Sequence, residues 1–137
     1  MEGKQVLANL VMQACRSEGW ILRPGGDLAV VVVPVADGRQ QEVIVGRPAD
    51  AGGDQSVVRF HTVIGPVKDL TGSRPLHALR LNFGLISGAF AIHGEDVVLC
   101  RLHPIGDLDA EEARETIRYL AEKGDRYEEH LYGTDVH

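Results

Sequence analysis

The run from Leu76 to Tyr127, LHALRLNFGLISGAFAIHGEDVVLCRLHPIGDLDAEEARETIRYLAEKGDRY, constrains the fold more than any other part of the chain, because it reads as helix, hairpin, helix. The first helix has Pro75 in its opening turn, where a missing backbone donor matters little. It carries Leu76, Leu79 and Phe83 along one stripe and ends at Gly84. Gly88 to His93 and Val97 to His103 form two strands around the turn HGED, with Phe90 and Ile92 opposed by the small Ala89 and Ala91. Small residues there let something pack close. Leu108-Asp109-Ala110-Glu111-Glu112 is a capping box: the Asp109 carboxylate accepts from the amide of Glu112, and Glu112 reaches back. Acidic residues in that turn also suit the helix dipole. Ala113, Ile117, Leu120, Gly124, Tyr127 and Leu131 then hold helical spacing. A glycine inside a helix costs about 1 kcal/mol relative to alanine, so Gly124 marks an expected close approach to the sheet. An antiparallel hairpin clasped between amphipathic helices predicts an α+β domain and supplies no obvious catalytic group.

The first half of the chain completes the pattern. Gly3 to Glu18 places Val6, Leu7, Leu10, Val11 and Ala14 on one helical face, with Gly19 at the C-terminal cap position. Trp20 to Leu22 begins a short strand, Arg23 to Asp27 has the Pro and Gly signals of a hairpin turn, and Leu28 to Val35 returns. This returning strand is apolar on both faces, which calls for a cover on each side of the sheet, supplied by the chain's own helices or by a partner. Ala36 to Gln40 is a further turn, Gln41 to Arg47 a third strand, Pro48 to Gln55 a loop, and Ser56 to Ile64 a fourth strand. In the fourth, Val58, Phe60, Thr62 and Ile64 share a face opposite Arg59 and His61, the mark of a strand with one wet side that could form a groove. The order α-β-β-β-β-α-β-β-α, with consecutive hairpins, implies a largely antiparallel sheet.

At 137 residues the chain fits one domain, 1–137, large enough to bury a core without staples. Lys and Arg number 14 against 20 Asp and Glu, giving a formal charge of −6 spread along the chain. Such a surface repels phosphate backbones and anionic lipid, so neither nucleic acid nor a membrane is expected as partner. The longest apolar stretch, Leu28 to Ala36, is too short to span a bilayer, and no basic segment leads into an apolar run at the N-terminus. A cytoplasmic location is the default expectation. Cys15 and Cys100 belong to no CxxC pair and read as reduced thiols in helix and strand interiors.

Chemistry finds little purchase. His61, His77, His93, His103, His130 and His137 show no HxH, HxxxH or HExxH spacing, so no metal is expected. A Cys100 pair with His103 fails on strand parity, since three residues apart they face opposite ways, and no oxyanion-hole motif accompanies Cys100 and His93. RPGGD and DAGGD are turns without phosphate-loop pattern. The acidic cluster Asp107, Asp109, Glu111, Glu112 and Glu115 reads as a helix start. Neither a cofactor nor catalytic residues are predicted.

The pieces Leu81-Asn82, Gly88-Ala89-Phe90-Ala91-Ile92, Val97 to Leu102, Leu108-Asp109-Ala110-Glu111-Glu112 and Asp125-Arg126-Tyr127 resemble the YbjN-like proteins, described as sensory transduction regulators, and more distantly the type III secretion chaperones of the Tir-chaperone class. The resemblance implies a non-enzymatic protein-binding module, chaperone-like or regulatory, that acts as a homodimer and holds a segment of a partner protein. Carried onto this chain, it makes Leu76, Leu79 and Phe83 candidates for the dimer interface, and Val6, Leu10 and Trp20 candidates for the partner-binding groove. The competing expectation is a small-ligand binder or enzyme that uses Arg59 and His61 on the polar face of the sheet. A deep pocket of convergent polar groups favours that alternative, and a long shallow apolar groove favours protein binding.

Overall fold

The computed structural model describes residues 2–25, 28–47 and 57–133, the side chains of 2–6 and 24 excepted. The elements run α1 (Glu2–Glu18), β1 (Ile21–Gly25), β2 (Leu28–Pro34), β3 (Gln40–Gly46), β4 (Val57–Pro66), α2 (Arg74–Asn82), β5 (Ala89–His93), β6 (Asp96–Pro104) and α3 (Ala110–Tyr132). The six strands form one antiparallel sheet in the order β1-β2-β3-β4-β6-β5. This is the expected α+β fold in the expected element order.

Local chemistry explains the boundaries. Gly19 takes φ +75°, and the Trp20 amide donates back to the Cys15 carbonyl at 3.0 Å, closing α1 in a Schellman arrangement. Strand β1 runs three residues beyond the expected Leu22 and takes in Pro24, which is tolerated because β1 lies at the sheet edge. The expected turn is therefore shorter than Arg23 to Asp27, and the anticipated Pro48–Gln55 loop and Ser56 lie outside the described residues. At the head of α3, Asp109 accepts from the Glu112 amide at 2.8 Å as predicted, but the reciprocal arm is absent. The Glu112 carboxylate turns instead to His103 Nε2, 3.2 Å away at the end of β6. The carboxylate finds a ring nitrogen of a buried histidine there, in place of the exposed cap amide.

The core lies between one face of the sheet and the helices. Residues Val31, Val33, Val43, Val45, Val58, Phe60, Ile64 and Leu99 meet Val11, Ala14 and Cys15 of α1 and Ala113, Ile117, Leu120 and Leu131 of α3. Helix α3 crosses β4, β3, β2 and β6, α1 leans on α3 and β1, and α2 borders β5 at the opposite edge. Burying a Leu, Ile or Phe side chain contributes about 1.5–3 kcal/mol, so the α3 stripe is the main clasp. Tyr132, at its end, donates to the Pro66 carbonyl at 2.9 Å, its ring filling the space over Gly65.

Helix ends are joined by charge. Glu18 meets Arg118 at 2.5 Å and Arg114 at 3.7 Å, and Arg39 forms a two-pronged bridge to Asp125 at 2.8 and 2.7 Å. Among the described residues no helix is long and apolar enough to cross a membrane.

Candidate functional site

Among the described residues, strand parity and the helix layout together leave one sheet face open. In β2, consecutive valines alternate sides: Val31 and Val33 enter the core, while Leu28, Val30 and Val32 point away from the helices. Cross-strand register carries this outer face across the sheet, pairing Ile21 with Val32, Val30 with Ile44, Ile44 with His61, Val63 with Val98, and Arg59 with Leu102. Ile21 is 58% exposed, Leu28 50% and Leu102 52%. The double-sided apolar pattern of β2 called for two covers; among the described residues, the helices supply only one.

A second uncovered apolar surface lies on α2. The helix docks through its small Ala78, the buried residue of the element, and through half-buried Leu81. Leu76 and Leu79 face outward, and Phe83 and the neighbouring Ile86 are 99% and 91% exposed. The three residues expected at a dimer contact are therefore brought together on open surface. The groove candidates lie elsewhere. Leu10 and Trp20 are half-buried against the core, and Arg118 sits over the Trp20 ring at 5.7 Å. The Val6 side chain is outside the described residues.

The outer face has one polar corner. Arg59 and His61 of β4, His93 of β5 and Cys100 of β6 line a shallow pocket of about 140 Å³, together with Ala91, Ile92 and Val98. The His61 and His93 rings lie 5.6 Å apart, centre to centre. Burial lowers the His61 pKa, and the charges of His93 and Arg59 lower it further, with Asp96 opposing. Spacing along the chain could not show this pair, because the two histidines converge only through β6, which lies between their strands.

Cys100 faces this pocket and is half-buried, not the interior residue expected, because it falls on the outer parity of β6 opposite His61. Burial raises its pKa, so the thiol is held in the protonated, weakly nucleophilic form. His103 lies on the opposite face, buried against Glu112, as parity required. A second imidazole pair joins helices: His77 of α2 and His130 of α3 approach to 2.8 Å between Nε2 atoms. No cluster of three or more metal-ligating side chains exists among the described residues.

The fold, a six-stranded antiparallel sheet with helices packed on one side, is similar to that of solved type III secretion chaperones. The chain is similar to a chain of the HopA1–SchA chaperone–effector complex, with a TM-score of 0.64 and 10% identity over 96% of each chain. It is also similar to the Yersinia pestis type III secretion chaperone SycH, solved in complex with a stable fragment of YscM2, with a TM-score of 0.58 and 15% identity over 90% of this chain and 97% of that one. No family model matches the sequence, and no curated protein matches it.

Proposed function

We propose that this protein is a non-enzymatic, chaperone-like binding module that acts as a homodimer and holds a segment of a partner protein. The observation that carries the reading is the outer face of the sheet, on which Ile21, Leu28, Val63 and Leu102 remain exposed among the described residues. They stand among Arg23, Glu42, Arg59 and His61 of the same face, and exposed apolar side chains interleaved with polar ones suit an interaction site. The fold likeness to SycH and to the HopA1–SchA complex supports a polypeptide as the occupant. The polar pocket is small and open, and its one thiol is held protonated, which favours binding over catalysis.

Two surfaces serve two roles in this reading. Leu76, Leu79 and Phe83 pair α2 with its copy across a two-fold axis, where a self-complementary apolar patch meets itself. The partner segment lies over the outer sheet face and reaches the α1–β1 corner at Leu10 and Trp20, and Val6 is carried with them as a proposed partner contact from the sequence resemblance. The YbjN-like likeness of the Gly88–Ile92 and Leu108–Glu112 pieces fits the same module in a regulatory setting.

The test combines light scattering with site-specific photo-crosslinking in the native cell. A dimer at low micromolar concentration, converted to monomer by Leu79→Asp with Phe83→Asp, is expected. A photo-crosslinker at Leu28 or Leu102 is expected to trap one defined protein, and the same group at Arg126 on α3 to trap none. A monomer at all concentrations removes the dimer, and equal trapping at both faces removes the groove.

A further inference from the structure

We propose that the Arg59–His61–His93 pocket is a carboxylate-binding subsite of the outer face, taking an Asp or Glu side chain from the partner segment docked on the surrounding apolar surface. The inference rests on the protein-binding reading above and specifies the chemistry of what is bound. The chain carries −6 overall, yet this corner of the sheet gathers a guanidinium and two imidazoles beside the Asp96 carboxylate. Local positive potential on an acidic protein, set in an apolar surface, selects an anion that arrives attached to apolar groups.

The geometry suits a carboxylate. Two imidazole rings 5.6 Å apart and inclined at 59° flank a pocket of about 140 Å³, room for a short acidic side chain. In the proposed pose a ring N–H of each imidazole donates to the carboxylate, and charge-assisted hydrogen bonds of this kind are about twice as strong as neutral ones. The donors come from the imidazoles, while Arg59 keeps its own contacts and contributes its field. Ala91, Ile92 and Val98 line the same pocket, and of these Val98 is buried. An anion between the rings also offsets the two positive neighbours that disfavour charge on His61.

Every titratable group facing the site bears on its pH dependence. Burial, then the charges of His93 and Arg59, hold His61 below its ordinary value against the opposing charge of Asp96, so this ring takes up a proton only on acidification and a bound carboxylate favours that proton. Cys100 stays protonated, and Glu42 on the outer face of β3 is held by Arg23. Affinity for the carboxylate therefore rises as the pH falls below about 6.5, where the His61 ring begins to gain charge.

The experiment uses the full chain and the peptide Leu-Ser-Val-Ser-Glu-Ser-Leu, blocked at both ends, whose alternate residues present Leu, Val, Glu and Leu on one face, with its Gln counterpart as control. Histidine ring signals are followed by NMR at about pH 6 and about pH 8. At the lower pH the Glu peptide is expected to bind at least about fivefold more tightly than the Gln peptide, shifting His61 and His93 but not His77 and His130. His93→Gln, an exposed change whose fold is checked by thermal melting, is expected to bring the ratio close to one. Equal binding of the two peptides, or a ratio indifferent to His93→Gln, overturns the subsite and leaves the apolar groove standing. Binding of neither peptide to the outer face overturns the subsite and the groove together.

Discussion

Gly124 of α3 passes so close to Thr62 of β4 that a Cβ at position 124 would lie 2.7 Å from Thr62 Cγ2 and 3.3 Å from Gln41 Nε2. The same Thr62 is fixed from the other side. Its hydroxyl accepts from Gln41 Nε2 at 2.8 Å and donates to the Glu42 carbonyl at 2.6 Å. The absent side chain is thus what lets the long helix settle onto a buried polar bridge between β3 and β4.

Gly124→Ala is therefore expected to destabilise the protein, although alanine is the better helix former by about 1 kcal/mol. Overpacking a rigid site costs about 1–3 kcal/mol, and here the obstructing atom belongs to a strand side chain with its hydroxyl pinned. Urea melts of the single variant and of Gly124→Ala with Thr62→Ser check this. Serine keeps the hydroxyl and removes Cγ2, so the double variant is expected to regain part of the loss. A single variant as stable as the wild type would show that α3 lifts freely from the sheet.

How much of this was legible beforehand follows from what periodicity can and cannot encode. The α3 stripe, the Asp109 cap, the Gly19 cap and the close approach at Gly124 are local patterns, and each stands where the residues placed it. The two-sided apolar character of β2 was also legible, but which side the helices take depends on global topology. The His61–His93 and His77–His130 pairs were invisible because each joins elements distant in sequence. Glu112 was assigned to its own cap because His103 becomes its neighbour only once β6 lies beside the start of α3.

The α2 surface gives a prediction that separates stability from assembly. Leu79 is 63% exposed and Phe83 99%, so Leu79→Ser with Phe83→Ser is expected to leave the monomer's unfolding free energy within about 0.5 kcal/mol of wild type. Ala78→Leu, by contrast, forces a larger side chain into the buried contact of α2 and is expected to cost about 1–3 kcal/mol. Denaturant melts at several protein concentrations read both effects. A concentration-dependent midpoint in wild type that vanishes in the serine variant would tie α2 to self-association.

Acid stability should depend on Asp125. The hydrogen bonds from Arg39 hold its carboxyl below the ordinary value, with the Arg39 charge adding to them and partial burial opposing. A carboxylate whose pKa is lower folded than unfolded contributes stability that is fully present above the unfolded value of about 3.9. That contribution is lost as pH falls through the lower, folded value. Asp125→Asn is expected to be less stable than wild type near neutrality, with the gap closing as the pH drops below about 4. Thermal melts across that range check it, and a gap that stays constant with pH would assign the difference to packing instead of charge.

His61 carries the last prediction, and its sign is opposite to that of a histidine gaining an acidic partner. Burial is the main cause of its lowered pKa, followed by the charges of His93 and Arg59, with Asp96 acting the other way. The folded state therefore resists protonating this ring, and the unfolded chain takes up the proton first as pH falls through about 6.5. The neutral-ring contribution to stability is complete above that value and declines below it. NMR titration of the histidine rings is expected to place His61 below the ordinary range, and His93→Gln to move it upward by the charge that His93 supplied. Replacement of Asp96 by Asn is expected to move it further down. A His61 titration unmoved by either change would leave burial and the Arg59 charge as the causes and remove the electrostatic coupling between β4, β5 and β6 across the outer face.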